Sequence, residues 1–151
     1  MSQSSSPNSH RLRSAAFVSL VATTVLLVIG APAQARRKDQ VPPTFAGLKS
    51  ATTCIPGPIR EGTTSSYHLT WEAATDNVTP SQKIVYNVYQ ATTAGGENFA
   101  QATYTSAAGA TSFDTPQLPT GKTYYFVVRA RDQAGNEDSN KIEREGQNLC
   151  V

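Results

Sequence analysis

Residues Leu118 to Ala130, Leu-Pro-Thr-Gly-Lys-Thr-Tyr-Tyr-Phe-Val-Val-Arg-Ala, restrict the folds open to this chain more than any other stretch. Pro119 and Gly121 build a turn, because proline presets φ and glycine accepts a positive φ. The residues that follow alternate. Tyr124, Phe126, Val128 and Ala130 share one face of a strand, and Tyr125, Val127, Arg129 and Arg131 share the other. A period of two in aromatic and β-branched residues is the pattern of a strand with one face in a core.

The same period recurs upstream. In Ser66 to Trp71, Tyr67, Leu69 and Trp71 point one way and His68 and Thr70 the other. In Ile84 to Tyr89, Ile84, Tyr86 and Val88 face inward, and Val85, Asn87 and Tyr89 face outward. Thr44 to Thr53 reads as a first, edge strand anchored by Phe45 and Leu48, with Pro42-Pro43 stiffening its entry. Ile55 to Ser65 is a long loop with two prolines and two glycines. Thr75 to Ser81 is a second loop. Gly95-Gly96 breaks the chain before a strand over Phe99 to Thr105, and Thr111 to Phe113 is a short strand. Asp132 to Asp138 is a turn-rich hairpin, and Asn140 to Glu145 starts a last strand that fades towards Cys150. Outside the first 35 residues no segment keeps a helical period, so the class is all-β.

Leu118, Gly121 and Tyr124, spaced by three and leading into an alternating strand, resemble the E–F corner and strand F of a fibronectin type III domain. Trp71 at the end of strand B and Ile84-x-Tyr86-x-Val88 in strand C are similar to the same family, and the resemblance covers about residues 42 to 146. Ala130 to Asn136, Ala-Arg-Asp-Gln-Ala-Gly-Asn, resembles bacterial members appended to secreted enzymes and adhesins. The resemblance implies an immunoglobulin-like sandwich of about seven strands. It gives structural roles to Trp71 and Tyr86 in the core and to Tyr124, whose hydroxyl bonds back to nearby backbone at the corner. Two features depart from the family: the A–B loop is long, and cysteines are present. The F–G loop has no Arg-Gly-Asp, so integrin-type recognition does not carry over.

Residues 1–35 have the layout of an export signal. Arg11 and Arg13 precede a mostly apolar run, Ser14 to Gly30, and Ala33-Gln34-Ala35 is a small-x-small cleavage site after Pro32. A membrane anchor is the competing reading, with an apolar run near the lower end of a span of about 20 residues. Cleavage leaves a short tail, 36–41, and a domain, 42–151, with no stable membrane span. Of the 13 Lys and Arg, 11 then remain against 11 acidic residues, a neutral balance that offers no basic patch for nucleic acid. Cys54 and Cys150 both survive, and an even count in an exported protein reads as a disulfide. The family topology supports the pair, because strands A and G run the same way and their ends reach one pole. The expected compartment is the periplasm or the extracellular space.

Little here suggests catalysis. His68 is the single histidine after the signal, it faces outward, and no phosphate loop, Cys-x-x-Cys or His-Glu-x-x-His occurs. No cofactor is expected. Asp76, Asp132, Glu137 and Asp138 gather at the B–C and F–G loops with Asn77, Asn136 and Asn140, and oxygen ligands of this kind suit calcium. Tight turns need the same residues, so they are read as turn formers and no metal is assigned. The remaining candidate is a surface. Val85 and Tyr89 on strand C and Tyr125, Val127, Arg129 and Arg131 on strand F form one outward stripe, rich in the groups that partners bury. The chain thus reads as a monomeric, non-enzymatic binding module for a protein. A structural envelope role and a polysaccharide-associated role are the alternatives.

The exported protein should begin at Arg36 and weigh about 2 Da less than its dithiol form, since a disulfide removes two hydrogens. N-terminal sequencing and intact mass test both. A chain beginning at Met1 or within Ser14 to Gly30, or one with two free thiols, would contradict them.

Overall fold

The alternating segments become the strands of two facing sheets. The structure, a computed structural model, describes residues 37–55, 57–60 and 62–149; the signal segment with its cleavage site, and Cys150, lie outside the described residues. In chain order the strands are β1 (Leu48–Thr53), β2 (Thr64–Ser65), β3 (His68–Trp71), β4 (Val85–Ala91), β5 (Tyr104–Thr105), β6 (Ser112–Asp114), β7 (Leu118–Pro119), β8 (Tyr125–Arg131), β9 (Glu143–Glu145) and β10 (Gln147–Asn148). One short 3-10 turn, Ser81–Lys83, precedes β4. One sheet runs β10-β1-β3-β6, the other β5-β4-β8-β9, and β2 pairs with β7 as a small lip. This is an all-β, immunoglobulin-like sandwich with fibronectin type III strand order: A, B and E in one sheet, and C′, C, F and G in the other. Among the described residues no helix is long and apolar enough to cross a membrane.

The core is the inward set of the alternation. Leu69, Ile84, Tyr86, Val88, Phe126, Val128 and Ala130 are fully buried, and Leu48, Tyr67, Trp71 and Tyr124 nearly so. Aromatic rings bridge the sheets: Trp71 lies 5.1 Å from Tyr86 between centroids, and Tyr67 lies 5.4 Å from Phe126. Phe45 closes one end at 5.2 Å from Tyr86. The polar atoms of these rings find partners, as burial demands. Trp71 Nε1 donates to Ala110 O at 2.9 Å, and the Tyr86 hydroxyl accepts from Ala74 N at 2.8 Å. Tyr124 Oη donates to Pro119 O at 3.0 Å, the corner bond expected of it.

Four local readings change. The first strand begins at Leu48, not Thr44; Thr44 instead forms an isolated bridge to Thr75. Strand C′ shrinks to Tyr104–Thr105. Turns hold the segment before it, with Gly96 N donating to Thr93 O and Asn98 Oδ1 accepting from Ala100 N, and these lift Phe99 out of any ladder. The A–B loop ends in β2, which pairs with the Leu118 corner. The last strand splits at Gly146: β9 pairs with β8, and β10 crosses to run parallel to β1. Strands A and G therefore do share a direction, and their ends lie side by side in one sheet.

Glycine is required at that crossing. A Cβ on Gly146 would run into the ring of Tyr67, itself wedged between Tyr124 and Phe126. Gly146→Ala should lower stability by about 1–3 kcal/mol, the usual range for overpacking. Denaturant unfolding would show it as a lower midpoint at an unchanged slope. An unaltered midpoint would mean that the crossing is not held as described.

Candidate functional site

Three regions hold the side chains able to do chemistry. The first is the outer face of β4 and β8. Register sets Tyr89 opposite Val127 and Asn87 opposite Arg129, so the expected stripe does assemble. Its centre, at Tyr89 and Val127, is covered, however. Tyr89 is 3% exposed and Val127 1%, against the expectation of an accessible face. The loop between β4 and β5 folds back over them. Phe99 packs edge-on to Tyr89 at 5.1 Å, and the Arg129 guanidinium sits over the Phe99 ring at 3.7 Å.

Glu137 completes the closure from the F–G side. Its carboxylate accepts from Tyr89 Oη at 2.7 Å and from Asn87 Nδ2 at 2.5 Å, with Arg129 Nη1 3.8 Å away. Arg129 Nε also donates to Asn140 O at 2.9 Å. Burial, and next the Glu137 carboxylate, push the Tyr89 phenol up to about 12. The covering loop is tied down where Gly95 N donates to Glu143 Oε2 at 2.6 Å. Burial and then the Glu143 carboxylate raise the pKa of Glu97 beside that tie. Of the six stripe residues, Arg131 is exposed, and Val85, Tyr125 and Arg129 are half-buried.

The second region is the pole formed by the B–C and F–G loops. The four acids seen in the sequence divide here. Glu137 is committed to Tyr89, and Asp138 to Ala130 N at 2.5 Å and Asn140 N at 2.9 Å. Asp76 and Asp132 converge, joined by Asp39, with one ligand-type oxygen from each lying within 4.8 Å of the others. Asp39 belongs to the segment 36–41 that the sequence presents as a short tail. The segment is instead pinned, since Asn136 Nδ2 donates to Asp39 O at 3.2 Å and Val41 O at 3.4 Å, and Pro43 is buried. The one signal for this was the rigid Pro42-Pro43 three residues on, which limits where an acid just ahead of it can go.

The third region is a polar groove of about 560 Å³ where the ends of β1, β2 and β3 meet, lined by Thr52, Thr64, Ser66, His68 and Gln117 among others. His68 faces solvent, as the alternation sets it, and it has a partner there. It lies directly across from Asp114 on β6, with Nδ1 2.7 Å from Asp114 Oδ1. Both side chains are more than half exposed, and among the described residues no hydroxyl bonds to the other ring nitrogen. Cys54 and the exposed Leu149 sit at the rim.

Removing the cover should change Tyr89 measurably. Tyr89 has a folded pKa above its unfolded value, so its stabilising effect is complete below about pH 10 and is lost as pH rises towards about 12. Phe99→Ala exposes the ring and should bring the phenol down towards the ordinary value of about 10. NMR titration of ring-labelled tyrosine reads this site by site. A Tyr89 titration unmoved by Phe99→Ala would mean that the loop does not cover it.

No family model matches the chain, and no curated protein matches it. Among solved structures, an Fn3-like protein from Clostridium thermocellum is similar to it at 24% identity, covering 71% of this chain and 96% of that chain with a TM-score of 0.48.

Proposed function

We propose that the chain is a small exported, non-enzymatic binding module of fibronectin type III kind, and that it takes a protein partner in the groove beside β1 and β3. The observation that carries this is the groove itself. It is a concave surface where several donors and acceptors converge: the hydroxyls of Thr52, Thr64 and Ser66, the Gln117 amide and the His68 ring nitrogen that Asp114 does not hold. Leu149, 57% exposed at its edge, adds an apolar contact. Specific sites combine a few convergent polar groups with adjoining apolar area in this way. The stripe on β4 and β8 is a weaker choice, because the chain's own Phe99 and Glu137 already occupy it.

Further support concerns chemistry and compartment. The His68–Asp114 pair has an orienting acid but no bonded nucleophile, which favours recognition over catalysis. Export rests on the signal-like first 35 residues. A Cys54–Cys150 disulfide belongs to the same reading. It is supported by the Leu149 N–H donating to Thr53 O at 2.9 Å, each one residue from a cysteine, and by the absence of a free thiol at Cys54. Such a bridge would fix the groove's rim. A polysaccharide partner is less favoured, since no Trp, Tyr or Phe is among the described residues that line the groove for a sugar to stack on.

The test uses the exported protein as bait in envelope extract. His68→Ala with Gln117→Ala should weaken specific capture by about tenfold or more, since each polar contact left unpaired costs roughly 1–3 kcal/mol. The unfolding midpoint should stay put. Capture that survives this pair but fails in Tyr125→Ala with Arg131→Ala would move the site to the open end of the β8 face. Retention on insoluble polysaccharide without protein capture would favour the alternative partner.

A further inference from the structure

We propose that Asp39, Asp76 and Asp132 form a calcium site that binds the N-terminal segment to the B–C and F–G loops. Three carboxylates from three separate segments place oxygens within 4.8 Å of one another. Asp132 is 5% exposed. Each acid is aimed by its neighbours. Asp76 Oδ2 accepts from Val78 N at 2.9 Å and Thr79 N at 2.7 Å, and Asp39 Oδ1 accepts from Val41 N at 3.1 Å. Asp132 accepts from Asn136 N through Oδ1 and from Asn136 Nδ2 through Oδ2, each at 2.7 Å. Thr79 Oγ1, accepting from Gln133 N at 3.3 Å, joins the two loops that carry Asp76 and Asp132.

Turn geometry accounts for those bonds but not for what remains. Asp39 Oδ2 and Asp76 Oδ1 are buried from solvent and accept no hydrogen bond. A buried carboxylate oxygen without a partner is costly, and two of them in a three-acid cluster add mutual repulsion. Among the described residues no Lys, Arg or His forms an ion pair with any of the three. A bound cation removes the repulsion and the missing partners together. The donors are all hard oxygens from three separate loop segments, which suits Ca²⁺ with its irregular six- to eight-fold shell better than the near-octahedral Mg²⁺. The site lies apart from the groove and does not depend on the binding reading above.

Calcium chloride is titrated into the chelator-treated exported protein by calorimetry, with thermal unfolding in parallel. The expected result is one Ca²⁺ per chain. The expected affinity is that of extracellular modules, with Kd of about 10⁻⁴–10⁻³ M. At roughly ten times Kd, the midpoint should rise by about 5–10 °C. Mg²⁺ should bind more weakly. Asp76→Asn and Asp132→Asn keep most of the backbone contacts and should abolish the heat and the shift. Asp39→Asn, on a segment outside both sheets, does the same without risk to the fold. Asp114→Asn, outside the cluster, should bind as the parent does. No saturable Ca²⁺ binding and no midpoint shift in the parent would overturn the proposal. So would Ca²⁺ binding that survives Asp39→Asn and Asp132→Asn unchanged.

Discussion

Everything in this sandwich leans on the contact between Trp71 and Tyr86. Trp71 closes β3 in one sheet, and Tyr86 sits near the start of β4 in the other. Their rings lie 5.1 Å apart and fill the space between the sheets. Each ring also carries one polar atom, and each such atom is used: the indole N–H on Ala110 O, the phenol oxygen on Ala74 N. Large apolar area is thereby buried with each ring's polar atom hydrogen-bonded. The same two bonds fasten the residue that leads into β6 and the start of the B–C loop. The core pair therefore also helps to place the pole at which Asp76 meets Asp39 and Asp132.

The outer side of the second sheet shows how a surface that resembles a binding site can be satisfied from within. Tyr, Arg, Asn and Val alternate outward on β4 and β8, a composition typical of interfaces. The chain supplies its own partner in Phe99, carried on a loop whose turns keep it out of the sheet. Arg129 stacks on that ring and faces Glu137, and Glu137 accepts from Tyr89 and Asn87. With hydrogen bonds, a cation over an aromatic face and low exposure together, the region behaves as a second, smaller core. Concave polar surface is left instead on the opposite sheet, beside His68.

The framework was legible in the residues because period-two alternation states which side chains go inward. Tyr67, Leu69, Trp71, Tyr86, Phe126 and Val128 all lie where alternation puts them. The tyrosine corner was legible as well, since Leu118, Gly121 and Tyr124 carry it locally. Contacts between distant segments were not legible. Alternation says that Tyr89 and Val127 point out of the sheet, but it cannot say that a loop ten residues further on returns to cover them. Likewise, nothing local to Asp39 marks it as the neighbour of Asp76 and Asp132. His68 gained its acid because β6 pairs with β3 in a register that sets Asp114 opposite, and pairing register is a property of two strands together.

The central claim is that the chain itself closes the middle of the β4–β8 face, around Tyr89 and Val127. Solution NMR tests it most directly through Arg129, whose guanidinium carbon lies 3.7 Å from the centre of the Phe99 ring. A group at that distance above an aromatic face is shielded by the ring current. The account predicts upfield-shifted Arg129 side-chain resonances with nuclear Overhauser contacts to Phe99 and Tyr89. Random-coil shifts for Arg129, with no contact to Phe99, would contradict it and return the stripe to the list of open surfaces.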